Sequence, residues 1–403
     1  MSAAAASRPR GWYLAWSIAL APMLLLAIGW GHELSPTRSF ARSYSLPIVA
    51  VELAIAIVAF AETRRLARVP RFPGALLLFL VAVAFFSAAR APDPATSLFM
   101  TLLWVNHLLF GLGIYQLSRH GLLSAPQILR AMPIAFALFG AALIAYYALH
   151  SEHGHNWYHD TPSFNNIRWL GYYCAAIFGL CAGGWLECRR VGLIIAIFAL
   201  AFALWTGSRG SLAAVIGGYV VAILFVPAAA RATPRFLGAV LLSILLALAA
   251  SQIWPLDQGS AERLFNDQAD NGRMEVWRQT ASLISQRPWL GWGEAQFGTL
   301  LHSDLGQPHN VVLQILLAWG AVGFGLVLVL AVLLADRLRR NANRQNAPLI
   351  FATCNIAAFS LIDGSLFHVQ SVSIIVLCVA LLAADEPDAN ETKRESSYDP
   401  PSS

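Results

Sequence analysis

Charge is what this sequence has least of. Only 12% of its 403 residues are charged and 57% are hydrophobic, against roughly 25% charged in an ordinary soluble domain. A water-soluble fold of this length needs more polar surface than that. Cysteine is also scarce: Cys174, Cys181, Cys188, Cys354 and Cys378 form no CxxC or other metal-ligand spacing. All five lie within or at the ends of apolar runs. The first three recur every seven residues on one helix face, which reads as small packing residues, and no disulfide framework is implied. The chain has no P-loop, no GxGxxG, no HExxH and no GxSxG, which removes the signatures of nucleotide, zinc-protease and serine-hydrolase sites. Asp267 and Asp270 are spaced DxxD, but a divalent ion wants more converging oxygen ligands than two. No internal repeat is evident. The net charge of +5 does not point to nucleic acid, because the basic residues sit at helix ends and form no soluble block.

What fills the sequence instead is a series of apolar runs, each of a length that crosses a bilayer core of about 30 Å. In hydrocarbon every backbone N–H and C=O needs an internal partner, so these runs are expected to be helices. The expectation is an all-α integral membrane protein with about twelve transmembrane helices near residues 11–31, 46–61, 73–89, 98–117, 128–149, 167–187, 191–206, 210–226, 236–254, 308–335, 347–363 and 367–384. The first run follows Arg8 and Arg10, is long for a signal peptide and lacks a cleavage site, so it is read as an uncleaved helix. Gly207-Ser208-Arg209-Gly210 and Asp363-Gly364-Ser365 supply tight turns between closely spaced spans.

Twelve spans place both termini on one side. The loops on that side hold roughly twice as many basic residues as the others, among them Arg64, Arg65, Arg68, Arg71, Arg119, Arg189, Arg190, Arg337, Arg339, Arg340 and Arg344. The positive-inside rule assigns that side to the cytoplasm. The chain then divides into helices 1–9 (1–254), a large outer loop (255–307), helices 10–12 (308–384) and a charged, Pro/Ser-rich tail (385–403) expected to be disordered and cytoplasmic. Val276, Thr280, Leu283 and Ile284 fall at helical spacing, so the large loop is expected to hold one or two helices lying along the membrane surface.

Charged and aromatic groups on the outer set of loops are the chemical candidates, since charge near lipid is costly. Arg209 stands in a glycine-flanked turn, where it could equally be an interface anchor. His309 follows Pro308 and opens the tenth span. A helix N-terminus disfavours imidazolium, and a neutral imidazole can accept a proton as a general base; a hydrogen-bonded structural histidine is the plainer alternative. Arg273 with Trp277, then Arg287 with Trp289, Gly291, Trp292, Gly293 and Phe297, lie in the large loop. There the glycines also fit turns, the arginines also fit headgroups, and the tryptophans also fit a membrane interface. Arg168 begins the sixth span on the same side.

In order, Ser208-Arg209-Gly210, Gly272-Arg273 with Trp277, Pro288, Gly291, Gly293, Phe297, and His309-Asn310 followed after nine residues by Gly320 and then Gly323 resemble the O-antigen ligase and polymerase superfamily. The last spacing resembles the ligases in particular. The likeness covers residues 206–323; the first 200 residues align with nothing specific. It implies a GT-C-like membrane glycosyltransferase of the bacterial inner membrane, with its site facing the periplasm. The reaction implied is inverting and metal-independent, with no cofactor. The donor would be O-antigen on undecaprenyl pyrophosphate, and the acceptor a sugar hydroxyl of lipid A–core oligosaccharide. The carry-over makes His309 the general base and Arg209 and Arg273 the stabilisers of the departing pyrophosphate. Arg168, Arg287, Asn310, Trp277, Gly291 and Gly293 are further substrate-binding candidates, and Asp304 or Asp363 is the candidate to orient His309. The nearest alternatives are an O-antigen polymerase or a protein O-oligosaccharyltransferase of the same superfamily. A transporter of lipid-linked sugars has the right helix count, but it would place polar groups midway along its spans, where this sequence is mostly apolar.

Overall fold

The structure, a computed structural model, describes residues 8–29, 36–63, 70–149, 161–164, 166–255, 272–302 and 306–385. The sequence features on Asp267, Asp270, Asp304, the first part of the large loop and the tail beyond Asp385 lie outside these residues. Among the described residues every regular element is helical. In chain order they are α1 (Arg8–Gly29), α2 (Pro36–Ser43), α3 (Leu46–Glu62), α4 (Arg71–Ala89), α5 (Pro94–Arg119), α6 (Ala125–Leu149), α7 (Ile167–Leu180), α8 (Gly183–Leu186), α9 (Arg190–Trp205), α10 (Arg209–Phe225), α11 (Thr233–Ile253), α12 (Arg273–Gln286), α13 (Phe297–Leu301), α14 (Val311–Arg340), α15 (Ala347–Ile362) and α16 (Val369–Ala384), with short 3-10 turns at Pro227–Ala232 and Ser365–Phe367.

Each of the twelve apolar runs coincides with a helix. Seven are long and apolar enough to cross a membrane, and α2 with α3 makes an eighth as a pair bent by 64°. The remaining four, α9, α10, α15 and α16, have 16 or 17 residues, about 24–26 Å of helix. The protein is a multi-pass membrane protein by these helices.

Small residues let the spans approach. A Cβ on Gly179 of α7 would lie 2.5 Å from the Ala352 backbone of α15, so only glycine admits that contact. Asn355 on α15 donates to the Ala175 carbonyl of α7 at 2.9 Å. α10 also packs along α15, α3 along α5, and α9 along α11. Most buried residues join one core, while α4 and α14 pack on each other through Val83, Ala84, Ile315, Ala318 and Trp319.

Side-chain bonds tie the loops at the ends of the bundle. At one end Arg119 donates to the Ala384 carbonyl and Asn346 to Asp385. At the other Arg287 donates to the Arg90 carbonyl, and Gln296 exchanges bonds with the Asp93 backbone. The expected loop helix is α12, which buries Thr280 and Leu283 and packs Val276 and Ile284 beside Leu317 and Phe297.

The spans are less uniformly apolar than their hydropathy suggests. Glu52 of α3 and His107 of α5 are 2% and 3% exposed and meet at 2.8 Å. Asn106 donates to the same carboxylate at 2.8 Å, and Ser373 of α16 donates to its other oxygen. A charged group inside the bundle persists only with such partners.

Candidate active site

The segment before α14 is pinned from both sides. Asn310 is its N-cap: its side-chain oxygen accepts from the Val312 and Leu313 N–H groups at 3.0 and 3.1 Å, satisfying donors that a helix start leaves open. Its amide donates across to the Leu361 carbonyl at 2.9 Å. The Pro308 carbonyl accepts from the Trp277 indole at 3.0 Å. Asn310 and Trp277, expected to meet substrate, thus spend these groups on holding the chain in place. α14 consequently begins at Val311, not at Pro308. Between the pins His309 has φ 54°, a left-handed conformation costing a non-glycine residue about 1–2 kcal/mol.

That conformation aims the ring at Asp363, with Nδ1 to Oδ1 at 2.6 Å. Asp363 caps the C-terminus of α15 and its Oδ1 also accepts from the Gly364 N–H at 2.8 Å. Burial works against its ionisation. The His309 hydrogen bond, the Arg168 charge and the Gly364 N–H favour the ionised form and hold the carboxyl below the ordinary carboxylate value. An ionised carboxylate only accepts, so it fixes the proton of His309 on Nδ1 and leaves Nε2 as the nitrogen with a free lone pair. The sequence places His309 at the helix N-terminus. Asn310 takes the Val312 and Leu313 N–H groups there, and the ring of His309 meets the Asp363 carboxylate.

Two arginines lie beside the pair, and a third opens a neighbouring helix. Arg273, the first residue of α12, donates from Nη1 to the Ile362 carbonyl at 3.1 Å, directly before Asp363. Arg168 lies in the first turn of α7, where Asn166 caps its N–H at 2.8 Å, and its charge acts on both Asp363 and Tyr172. Arg209 opens α10 two residues after Gly207, whose φ of 88° makes the turn. Next to it Ser211 donates to the Gly171 carbonyl at 3.1 Å and Gly210 sits against Phe359. The Arg209 backbone therefore borders the wall formed by Gly171 and Tyr172.

Three aromatic residues here were not singled out from sequence. His368 packs against Trp169 and Tyr172 with ring centroids 4.2 and 5.5 Å apart. Burial foremost pushes the His368 imidazole down to about 3, against the pull of the Asp363 charge, so it is neutral. Gln307 donates to its Nε2 at 3.1 Å. The signal was weak but present: Trp169 and Tyr172 stand one helical turn apart beside Arg168, and His368 follows the Asp363-Gly364 turn.

Other expected site residues go elsewhere. α14 is broken at Gly320 (φ 64°, ψ −166°), which frees backbone groups that loop 288–293 then pairs. Trp292 and Gly293 donate to the Leu317 and Ala318 carbonyls, and Ala321 and Val322 donate to the Pro288 and Trp289 carbonyls, all within 3.1 Å. A Cβ on Gly291 would sit 2.5 Å from the Ala318 oxygen. Gly291, Gly293 and Gly320 thus serve a backbone seam. Arg287 lies at the far end of the 14-residue α12, about 20 Å along the helix from Arg273, with its guanidinium 3.9 Å from the Trp292 ring. Beside this seam Glu294 is 1% exposed and accepts from the Trp104 indole at 3.2 Å; burial foremost lifts its carboxyl to about 7.

No curated protein matches the chain. The family model described as O-Antigen ligase matches residues 194–328, about a third of the chain. The matched segment contains Arg209, Arg273, His309 and the Gly320 break, while Arg168, Asp363 and His368 lie outside it. By its helices this chain is a multi-pass membrane protein, and its residues 194–328 are similar to the O-Antigen ligase family.

Proposed function

We propose that the protein is an O-antigen ligase, moving O-antigen polysaccharide from undecaprenyl pyrophosphate to a sugar hydroxyl of lipid A–core oligosaccharide. The observation that carries this reading is the His309–Asp363 pair at 2.6 Å beside Arg168 and Arg273. The acceptor hydroxyl gives its proton to His309 Nε2 as its oxygen attacks the anomeric carbon. The bond from that carbon to the pyrophosphate oxygen breaks, the electron pair leaves with the pyrophosphate, and the anomeric configuration inverts. Asp363 keeps the imidazole in the accepting tautomer and stabilises the imidazolium that forms. Arg209, Arg273 and Arg168 meet the charge that grows on the pyrophosphate. Guanidinium stays protonated and bonds phosphate oxygens in pairs. The arginines accelerate transfer to the extent that they bind the departing group better than the intact donor. No metal is required.

In this reading the site end of the bundle faces the periplasm from the inner membrane. Both termini and the 385–403 tail are cytoplasmic, and the 255–307 loop, between helices 1–9 and helices 10–12, is on the periplasmic side. The excess of arginine on the opposite loops supports that orientation.

The test is transfer by purified protein given lipid-linked O-antigen and lipid A–core, with chelator present. Wild type should form the ligated product at an undiminished rate in chelator, and His309→Ala should form none while eluting as a folded protein. Longer lipid-linked chains with no transfer to lipid A–core would mark a polymerase, and transfer to protein an O-oligosaccharyltransferase. Movement of donor across liposomes without a new glycosidic bond would mark a transporter.

A further inference from the structure

A second basic site lies away from His309. At the same end of the bundle a cleft of about 340 Å³ opens between the end of α4 and the loop after α12, lined by Phe86, Arg90, Gln286, Arg287, Trp289 and Leu290. Arg287 is tied to the end of α4, because its Nη1 donates to the Arg90 carbonyl at 3.0 Å. The Arg287 guanidinium stacks 3.9 Å from the Trp292 ring, and that of Arg90 lies 5.4 Å from the Phe86 ring. Among the described residues neither has a carboxylate partner; Asp93, the acidic residue next in sequence, is engaged in capping the Thr96 N–H at 3.2 Å.

The cleft is built in advance. Ser87 donates to the Leu290 carbonyl, and the seam to the Gly320 break fixes the other wall. Both arginines line this one cleft, where a phosphate can be received by guanidinium groups in paired hydrogen bonds.

The surroundings say what carries the phosphate. Below Arg90, α4 exposes Leu78, Phe79, Ala82 and Phe86 at spacings of three and four residues, a continuous apolar stripe on a membrane-spanning helix. Trp289, 70% exposed, stands at the rim, where an amphipathic ring suits a membrane interface. An acyl chain on the stripe puts a phosphate head at the arginines, whereas a soluble phosphate would make no use of the stripe.

We propose that Arg90 and Arg287 bind the phosphate of the membrane-anchored glycolipid acceptor, holding its lipid end while its sugars reach the reacting centre. This rests on the ligase reading. The length of α12, about 20 Å, separates Arg287 from Arg273, which suits an acceptor whose reacting hydroxyl is an oligosaccharide away from its lipid. The donor pyrophosphate, by contrast, must lie beside His309.

The experiment measures binding of bis-phosphorylated lipid A, its dephosphorylated form, phosphatidylglycerol and inorganic phosphate to the full-length protein in detergent. The expected result is at least tenfold tighter binding of phosphorylated than dephosphorylated lipid A. Arg90→Gln with Arg287→Gln should lose ten- to hundredfold in affinity. Arg90→Gln alone, which leaves the Arg287 stack on Trp292 untouched, should lose severalfold. Inorganic phosphate should compete only weakly. Equal binding by the double variant, or equal binding of dephosphorylated lipid A, overturns the proposal. Strong competition by inorganic phosphate reassigns the cleft to free phosphate. Equal arginine-dependent binding of phosphatidylglycerol overturns its assignment to the acceptor. In the transfer assay the double variant should raise the acceptor KM about tenfold with the donor KM unmoved; an unmoved acceptor KM refutes the role. If wild type binds lipid A through these arginines yet transfers nothing, the ligase reading fails and the lipid site stands.

Discussion

Asp363→Asn tests whether the His309–Asp363 pair works as a catalytic unit or only as a structural contact. The substitution keeps size and shape and removes one charge. When His309 takes the acceptor proton, a cation forms 2.6 Å from Asp363. At an effective dielectric of about 20 the attraction is on the order of 6 kcal/mol. The asparagine carbonyl still accepts from Nδ1, so part of that is retained; a loss of about 3 kcal/mol remains, or roughly a hundredfold in rate. The loss should fall on kcat, because neither substrate needs to touch Asp363. The assay is steady-state transfer with both KM values measured, alongside a melting curve. Asp363→Glu, which restores the charge with a longer reach, should recover part of the rate. A variant Asp363→Asn within threefold of wild-type kcat would refute the reasoning, and so would a loss confined to KM.

Three other perturbations probe the scaffold. Gly320→Ala should lower the melting temperature and slow transfer together, since the residue has φ 64° and its Cβ would lie 2.3 Å from the Trp289 backbone; a cost of about 2 kcal/mol or more follows from strain plus overlap, and a wild-type melting curve would contradict the seam. Glu294 is raised in the fold from 4.5 to about 7, so the folded state holds its proton more tightly and stability should fall as pH rises from 4.5 to 7. Glu294→Gln should flatten that part of a melting-temperature-against-pH curve; an unchanged slope would exclude Glu294 as its source. Glu52→Ala should destabilise the protein by about 3–5 kcal/mol by stranding buried partners, whereas Glu52→Leu with His107→Leu should recover much of the loss in a detergent melting assay; equal losses would argue against a paired charge.

The sequence alone determined the helices and the ordered Arg209, Arg273 and His309 series. Hydropathy and helical periodicity are properties of residues a few positions apart, and a turn such as Asp363-Gly364-Ser365 is written in its own residues. It also offered Asp363 as one of two partners for His309, without the means to choose. The choice belonged to the tertiary structure, since Asp363 is 54 residues from His309 and reaches it only because Asn310 ties α14 to the end of α15. The same packing brought Arg168, Tyr172 and His368 to the site and sent Arg287 to a separate cleft. It turned Asn310, Gly291 and Gly293 to supporting the chain, and it paired Glu52 with His107 inside spans that read as apolar. Which faces of two helices meet depends on where small residues, caps and breaks coincide between distant segments, and no local pattern in either segment records that meeting.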